Sequence, residues 1–180
     1  MVVFDSSVLL LVLDRNAKPP NDPATGQPLN KAAERIEYLI GNLTADDAKI
    51  VIPTPVLSEV LVHAGEAMQP YLDILNGQAA FRIASFDQKA AIEAAIAMRD
   101  AIKRGGHRID AINPDVTKTK IKFDRQIVAI AKAEGAQTVY SDDVDVHSYA
   151  KHAGLQAIRT FDLDLPPEDP QQSLDFDPTA

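Results

Sequence analysis

Four carboxylates in this chain stand where chemistry can be done: Asp5, Glu59, Asp124 and Asp143, with Asp142 and Asp145 in reserve beside the last. Each borders or interrupts an apolar run. Asp5 follows Val2–Phe4, Glu59 is embedded in VLSEVLV, Asp124 precedes Ile127, Val128, Ile130 and Ala131, and the last three acids follow QTVYS. A charge that faces inward needs a partner, and no basic residue falls between Gly135 and Asp145 to supply one. Two carboxylates about 5 Å apart repel by roughly 3 kcal/mol at an effective dielectric near 20. Several such pairs must be relieved by protonation or by a bound cation. Carboxylate oxygens without histidine or thiolate select a hard divalent ion, Mg²⁺ or Mn²⁺. One such ion, or a pair about 4 Å apart, orients and deprotonates a water for in-line attack on a phosphodiester and stabilises the leaving oxygen. The expected metal ligands are Asp5, Glu59, Asp124, Asp143 and Asp145; the first four are the expected catalytic acids.

Ordinary structural roles compete with this reading. Asp5 and Asp124 are also favoured residues at a helix start, and Asp142 suits a turn. Glu59 is a solvated helix residue in the bland reading, but the apolar residues around it leave little solvent face. His63, His107, His147 and His152 form no spaced set and read as non-ligands.

The elements that position the acids follow from periodicity. Val2–Phe4 reads as a buried strand that breaks at Asp5, with Ser6 or Ser7 available to cap the next helix. Residues 15–30 carry four prolines and one glycine and read as a long surface loop; a loop of this length is usually functional or disordered. Lys31–Leu43 is a helix with Ile36, Leu39, Ile40 and Leu43 on one face. KIVIP is a second strand, and Thr54 caps a helix with Pro55 at its first position. That helix, TPVLSEVLVHAG, has almost no polar face and is expected to be buried nearly all round. A helix over Met68–Leu75, a strand in AFRIAS and a long Ala-rich helix over Asp87–Arg104 come next. Residues 107–122 look like a basic loop. Asp124 is expected to open the following helix, which Gly135 stops. QTVYS is a strand, a helix runs to about Gly154, and QAIRTF is the last strand. Strands alternating with helices imply an α/β three-layer sandwich with a mainly parallel central sheet. Ligands of such sheets bind beyond the carboxyl ends of the strands, where strand order reverses, and Asp5 and Asp143 both sit just beyond a strand.

Composition bounds the remaining possibilities. A chain of 180 residues forms one domain that buries roughly 70% of its unfolded surface. The net charge of -8 argues against a generally basic nucleic-acid binder, but the charge is uneven. Residues 161–180 hold six acids and no base, and Lys103–Arg125 holds seven Lys and Arg against three Asp. The expectation is a domain over residues 1–160, followed by an acidic, mobile tail over 161–180. Lys103, Arg104, Arg108, Lys118, Lys120, Lys122 and Arg125 are candidates for holding RNA phosphates. The absence of cysteine excludes disulfide, zinc-thiolate and thiol-nucleophile chemistry. The longest apolar run, Val8–Leu13, is too short to span a bilayer, so no membrane association and a cytoplasmic location are expected.

The same residues carry a resemblance. The opening strand with D-S-S-V-L-L, Glu59 in LSEVL, the D-x-x-I-x-A-x-A of Asp124–Ala131 and the S-x-D-x-D of Ser141–Asp145 together resemble PIN-domain ribonucleases, over about residues 1–160. The resemblance implies a metal-dependent endoribonuclease acting on single-stranded RNA, with Asp5, Glu59, Asp124 and Asp143 as its acidic quartet and Ser141 supporting the last acid. Many bacterial members are VapC-type toxins, often dimeric and neutralised by a small antitoxin, so an antitoxin protein and a homodimer are implied partners. The first alternative is a non-catalytic RNA- or partner-binding module of the same fold. An Asp-nucleophile phosphatase shares the strand-then-Asp opening, but it needs a second acid two residues on, where this chain has Ser7.

Overall fold

The computed structural model describes residues 1–103 and 118–167. Among these, five short strands form one sheet in the order β3-β2-β1-β4-β5, with every pairing parallel. The strands are β1 (Val2–Phe4), β2 (Ile50–Pro53), β3 (Phe81–Ala84), β4 (Thr138–Tyr140) and β5 (Gln156–Ile158). The first two and β4 are buried at every position, as continuous apolar runs covered on both faces must be. The helices are α1 (Ser6–Leu13), α2 (Ala32–Ala45), α3 (Thr54–Ala64), α4 (Met68–Gly77), α5 (Gln88–Lys103), α6 (Lys118–Ala133) and α7 (Val144–His152).

Two helix groups pack together, α1 with α2 and α3, and α6 with α5 and α7. The chain moves outward from β1 to β2 and β3, then returns past β1 to β4 and β5. Right-handed crossovers travelling in opposite directions put their helices on opposite faces of the sheet. The result is the expected α/β sandwich, with its switch point between β1 and β4. In the register across that pair, Phe4 lies opposite Tyr140, and the two rings meet edge to face at 5.5 Å.

Several local expectations change. Helix α6 begins at Lys118, so Asp124 lies within it and does not open it. The reason is Ile121, which is buried and continues the stripe of Asp124, Val128 and Ala131 back by one turn at spacings of three and four. The expected basic loop is therefore helical from Lys118, and the rest of it, 104–117, lies outside the described residues. Helix α3 buries only Pro55, Val56 and Val60; Ser58, Glu59, Val62 and His63 are exposed, so it lies across one surface and not inside the core. Thr54 makes no side-chain cap there.

The 15–30 segment is tied down. Asn21 and Pro28 form an antiparallel bridge, Asp22 N–H donates to Gln27 O at 2.8 Å, and Leu29 is buried in the core. At the other end the packed fold runs beyond residue 160. Leu163 is part of the core, and its carbonyl accepts a hydrogen bond from Arg35 of α2. Residues 168–180 lie outside the described residues. Gly135, at φ +72, takes the left-handed conformation that ends α6 and turns the chain into β4.

Candidate active site

Backbone pairing brings the first two acids into range. Asp5 N–H donates to Tyr140 O at 3.0 Å, and Ser141 N–H donates to Ile158 O at 3.0 Å, so the ladder continues one residue past β1 and β4. Asp5 and Ser141 therefore emerge side by side at the carboxyl edge of the sheet. The Ser141 hydroxyl donates to Asp5 Oδ2 at 2.6 Å and accepts from Asp143 N–H at 3.0 Å. Asp143 caps α7, its Oδ1 accepting from Asp145 N–H at 2.8 Å and from Val146 N–H at 3.3 Å. The helix start thus fixes one Asp143 oxygen and leaves Oδ2 for other partners.

Helix α6 delivers Asp124 from the opposite face. Its place on the buried stripe leaves it only 5% exposed, and Asp5 is 3% exposed. A cleft of about 420 Å³ is lined by Asp5, Glu59, Lys120, Asp124 and Asp143, with Ser6 and Phe123 among the residues at its walls. The four expected catalytic acids thus share one cleft. Glu59 reaches it from the exposed face of α3, at its lip. Asp145, 2% exposed, offers an oxygen that lies with one oxygen each of Asp124 and Asp143 within 4.8 Å of one another. Asp142 is turned elsewhere: its carboxylate accepts from Thr160 N–H at 2.9 Å and from the Thr160 hydroxyl at 2.6 Å, which ties the end of β4 to the chain leaving β5. Ser7 braces the same corner, donating to Asp5 Oδ2 at 3.3 Å and accepting from Asp142 N–H at 3.0 Å.

Lys120 is the residue that sequence reasoning misplaced. Grouped there with surface bases, its ammonium instead lies between two of the acids, 2.7 Å from Asp143 Oδ2 and 3.1 Å from Asp124 Oδ2. It stands one helical turn before Asp124. The i, i+4 spacing was visible in the sequence, but only once the helix is carried back through Ile121.

The electrostatics record this crowding. Burial pushes the Asp5 carboxyl from the ordinary 3.8 up to about 6, against the Ser141 hydrogen bond, with Glu59 and Asp143 adding repulsion. Burial likewise raises Asp124 to about 6, opposed by Lys120 and reinforced by Asp143 and Asp5. For Asp143 burial acts upward too, but the hydrogen bonds from Lys120 and from the α7 amides outweigh it and hold the carboxyl below its usual value. Lys120, despite its burial, is pushed up by the two carboxylates and stays protonated. Among the described residues one ammonium faces five carboxyl groups, and the donor set, all oxygen, suits a hard divalent cation.

Solved structures match the fold of this chain over most of its length. VapBC2 from Rickettsia felis, bound to a DNA fragment from its promoter, matches 88% of this chain and 98% of its own, with 16% identity and a TM-score of 0.57. The chain has a VapC-like PIN-domain fold. FitAB bound to the IR36 DNA fragment matches 91% of this chain and 98% of its own at 18% identity and a TM-score of 0.56. DNA-bound VapBC from Salmonella typhimurium matches 88% and 97% at 15% identity and a TM-score of 0.53. No protein-family model and no curated protein sequence matches the chain. The PIN-domain likeness is one of backbone architecture, and the acids at the β1–β4 switch point belong to this chain's own sequence.

Proposed function

We propose that the protein is a metal-dependent endoribonuclease that hydrolyses phosphodiester bonds in single-stranded RNA, acting as the toxin of a toxin–antitoxin pair. The observation that carries this reading is the clustering of Asp124, Asp143 and Asp145 oxygens within 4.8 Å, in a cleft that Asp5 and Glu59 also line. A Mg²⁺ or Mn²⁺ ion held by Asp124, Asp143 and Asp145, with Asp5 and Glu59 completing the set, would supply a water of lowered pKa and neutralise charge on the phosphate. The chain's own residues do the rest. Ser141 orients Asp5 and Asp143 together, and the α7 amides lock Asp143. Glu59, exposed at the lip, accepts a proton from an attacking water. Burial of Asp5 and Asp124 keeps competing solvent from the ligands.

A protein partner belongs to the same reading. Val62 and Phe123 line the cleft and are 81% and 45% exposed, and Ile92, Ile96 and Ile102 along α5 are exposed as well. Large apolar side chains grouped in water mark surfaces that another chain covers. The similar structures are of VapBC and FitAB bound to DNA, which together with the VapC-type resemblance of the sequence supports an antitoxin as that partner, and a homodimer is proposed beside it. Among the described residues no helix is long and apolar enough to cross a membrane.

The second reading, a non-catalytic binding module, is favoured by one observation: Lys120 already pairs with two of the acids. Titrating Mn²⁺ into the purified protein by calorimetry, and assaying cleavage of a single-stranded RNA, separates the two. The nuclease gives binding heat and cleavage that both vanish in Asp124→Asn. A scaffold gives neither in the wild type.

A further inference from the structure

We propose that Lys120 is an internal counter-cation, holding the metal position of the cleft until a divalent ion displaces it. The proposal rests on the metal-nuclease reading above.

Two of the three residues whose oxygens cluster within 4.8 Å, Asp124 and Asp143, are the two that the Lys120 ammonium contacts. On each it meets Oδ2. On Asp143 that is the oxygen left over, because Oδ1 is committed to the first amides of α7. A Mg²⁺ ion drawing on Asp143 must therefore approach the atom that Lys120 occupies, to about 2.1 Å. An ammonium and a divalent cation cannot share that oxygen at these distances without direct repulsion between like charges.

The choice of lysine fits the role. Its compact, single-centre charge stands in for an ion, whereas the planar fork of arginine would span two carboxylates bidentately and hold on to both. Its four-carbon stem lets the charged end leave by rotamer changes alone. The side chain is 40% exposed while Asp124 is 7% exposed at its side chain, so the lysine has a route to water that the acid lacks. The metal-free cleft is thus stabilised, at the expense of metal affinity. Loading becomes an exchange of one cation for another, and the displaced ammonium remains at a cleft whose substrate is a polyanion.

The test compares Mn²⁺ binding by calorimetry in the wild type, Lys120→Met, Lys120→Gln and Lys122→Met. The glutamine variant keeps a hydrogen-bond donor for the acids should the methionine variant fold poorly. Lys122, exposed on the same helix, controls for the general loss of one positive charge. The expected result is Mn²⁺ affinity about tenfold or more higher in both Lys120 variants and little changed in Lys122→Met. In EDTA the Lys120 variants melt below the wild type, and Mn²⁺ raises their Tm by more than it raises the wild type's. If the wild type binds Mn²⁺ and the Lys120 variants bind it no tighter, the counter-cation role is overturned and the nuclease reading stands. If Lys122→Met gains as much as the Lys120 variants, the effect is diffuse charge and the role is likewise overturned. If neither the wild type nor the Lys120 variants bind Mn²⁺, both readings fall together.

Discussion

The Ser141 hydroxyl donates a 2.6 Å hydrogen bond to Oδ2 of Asp5, joining the ends of two strands that lie 136 residues apart in the chain. Ser141 is fully buried, and its oxygen also accepts from Asp143 N–H, so one side chain sets the spacing of two acids. Ser141→Ala removes the shorter of the two side-chain hydrogen bonds that Asp5 accepts among the described residues and leaves a buried carboxylate under-satisfied. The expected cost is about 1–3 kcal/mol, read by urea denaturation. The Asp5 carboxyl, already at about 6, should titrate higher still because a lowering contribution has been lost. An unchanged midpoint would mean that the bond contributes nothing net.

Replacing a single buried acid should separate activity from stability. Asp5→Asn and Asp124→Asn each are expected to reduce Mn²⁺-dependent cleavage of single-stranded RNA by about 10²-fold or more. In EDTA at pH 7 both should be as stable as the wild type or more so, because each removes a carboxylate whose ionised form burial disfavours. Paired cleavage assays and thermal melts check both halves. A variant that retains full cleavage counts against the site, and one that unfolds in EDTA counts against the account of its electrostatics.

The pH dependence has a definite sign. Asp5 and Asp124 titrate near 6 in the folded chain and near 3.8 when unfolded, so between these values the folded state holds protons that the unfolded state has released. Stability without metal therefore falls as pH rises from about 4 to 6 and stays low above that, by on the order of 3 kcal/mol for Asp5 alone. Asp143, held below its usual value, acts oppositely, and its contribution is lost only as pH falls below the ordinary carboxylate range. Melting curves in EDTA across this window should show the decline, and Mn²⁺ at pH 7 should reverse it by binding the folded state. A metal-free Tm that climbs from pH 4 to 6 would contradict the assignment.

Asp142 offers a contrast among neighbouring acids. Both its oxygens are taken by Thr160, so Asp142→Ala and Thr160→Val should destabilise the chain by about 1–3 kcal/mol while leaving Mn²⁺ affinity near the wild-type value. Combined in one chain, the two substitutions should cost less than the sum of their separate effects, since they share one interaction. Denaturation and calorimetry on the three variants provide the measurement.

Much of the fold could be read from local pattern. Strands of unbroken apolar residues and a glycine stop at position 135 are determined by near neighbours, and the alternation of strand and helix leads directly to a parallel sheet. Three errors share one cause. Ile121 looked isolated among lysines, Glu59 looked enclosed by valines and leucines, and Leu163 looked stranded in an acidic tail. In each case exposure depended on what another element covers: the stripe of α6 runs back under its first turn, α3 lies across a surface, and the segment after β5 closes over α2.

The chain's sequence by itself determined which groups are present and the ends of the elements they occupy: acids after β1 and β4, an acid on the inward stripe of α6, oxygen donors without thiols. Only the tertiary structure decided which acids meet, because proximity depends on a strand order that brings β1 against β4 and on a helix packed over that edge. It also decided that Lys120 shares their space. Charge along a sequence is a list of signs, whereas the field in a cleft depends on distances that exist only after folding.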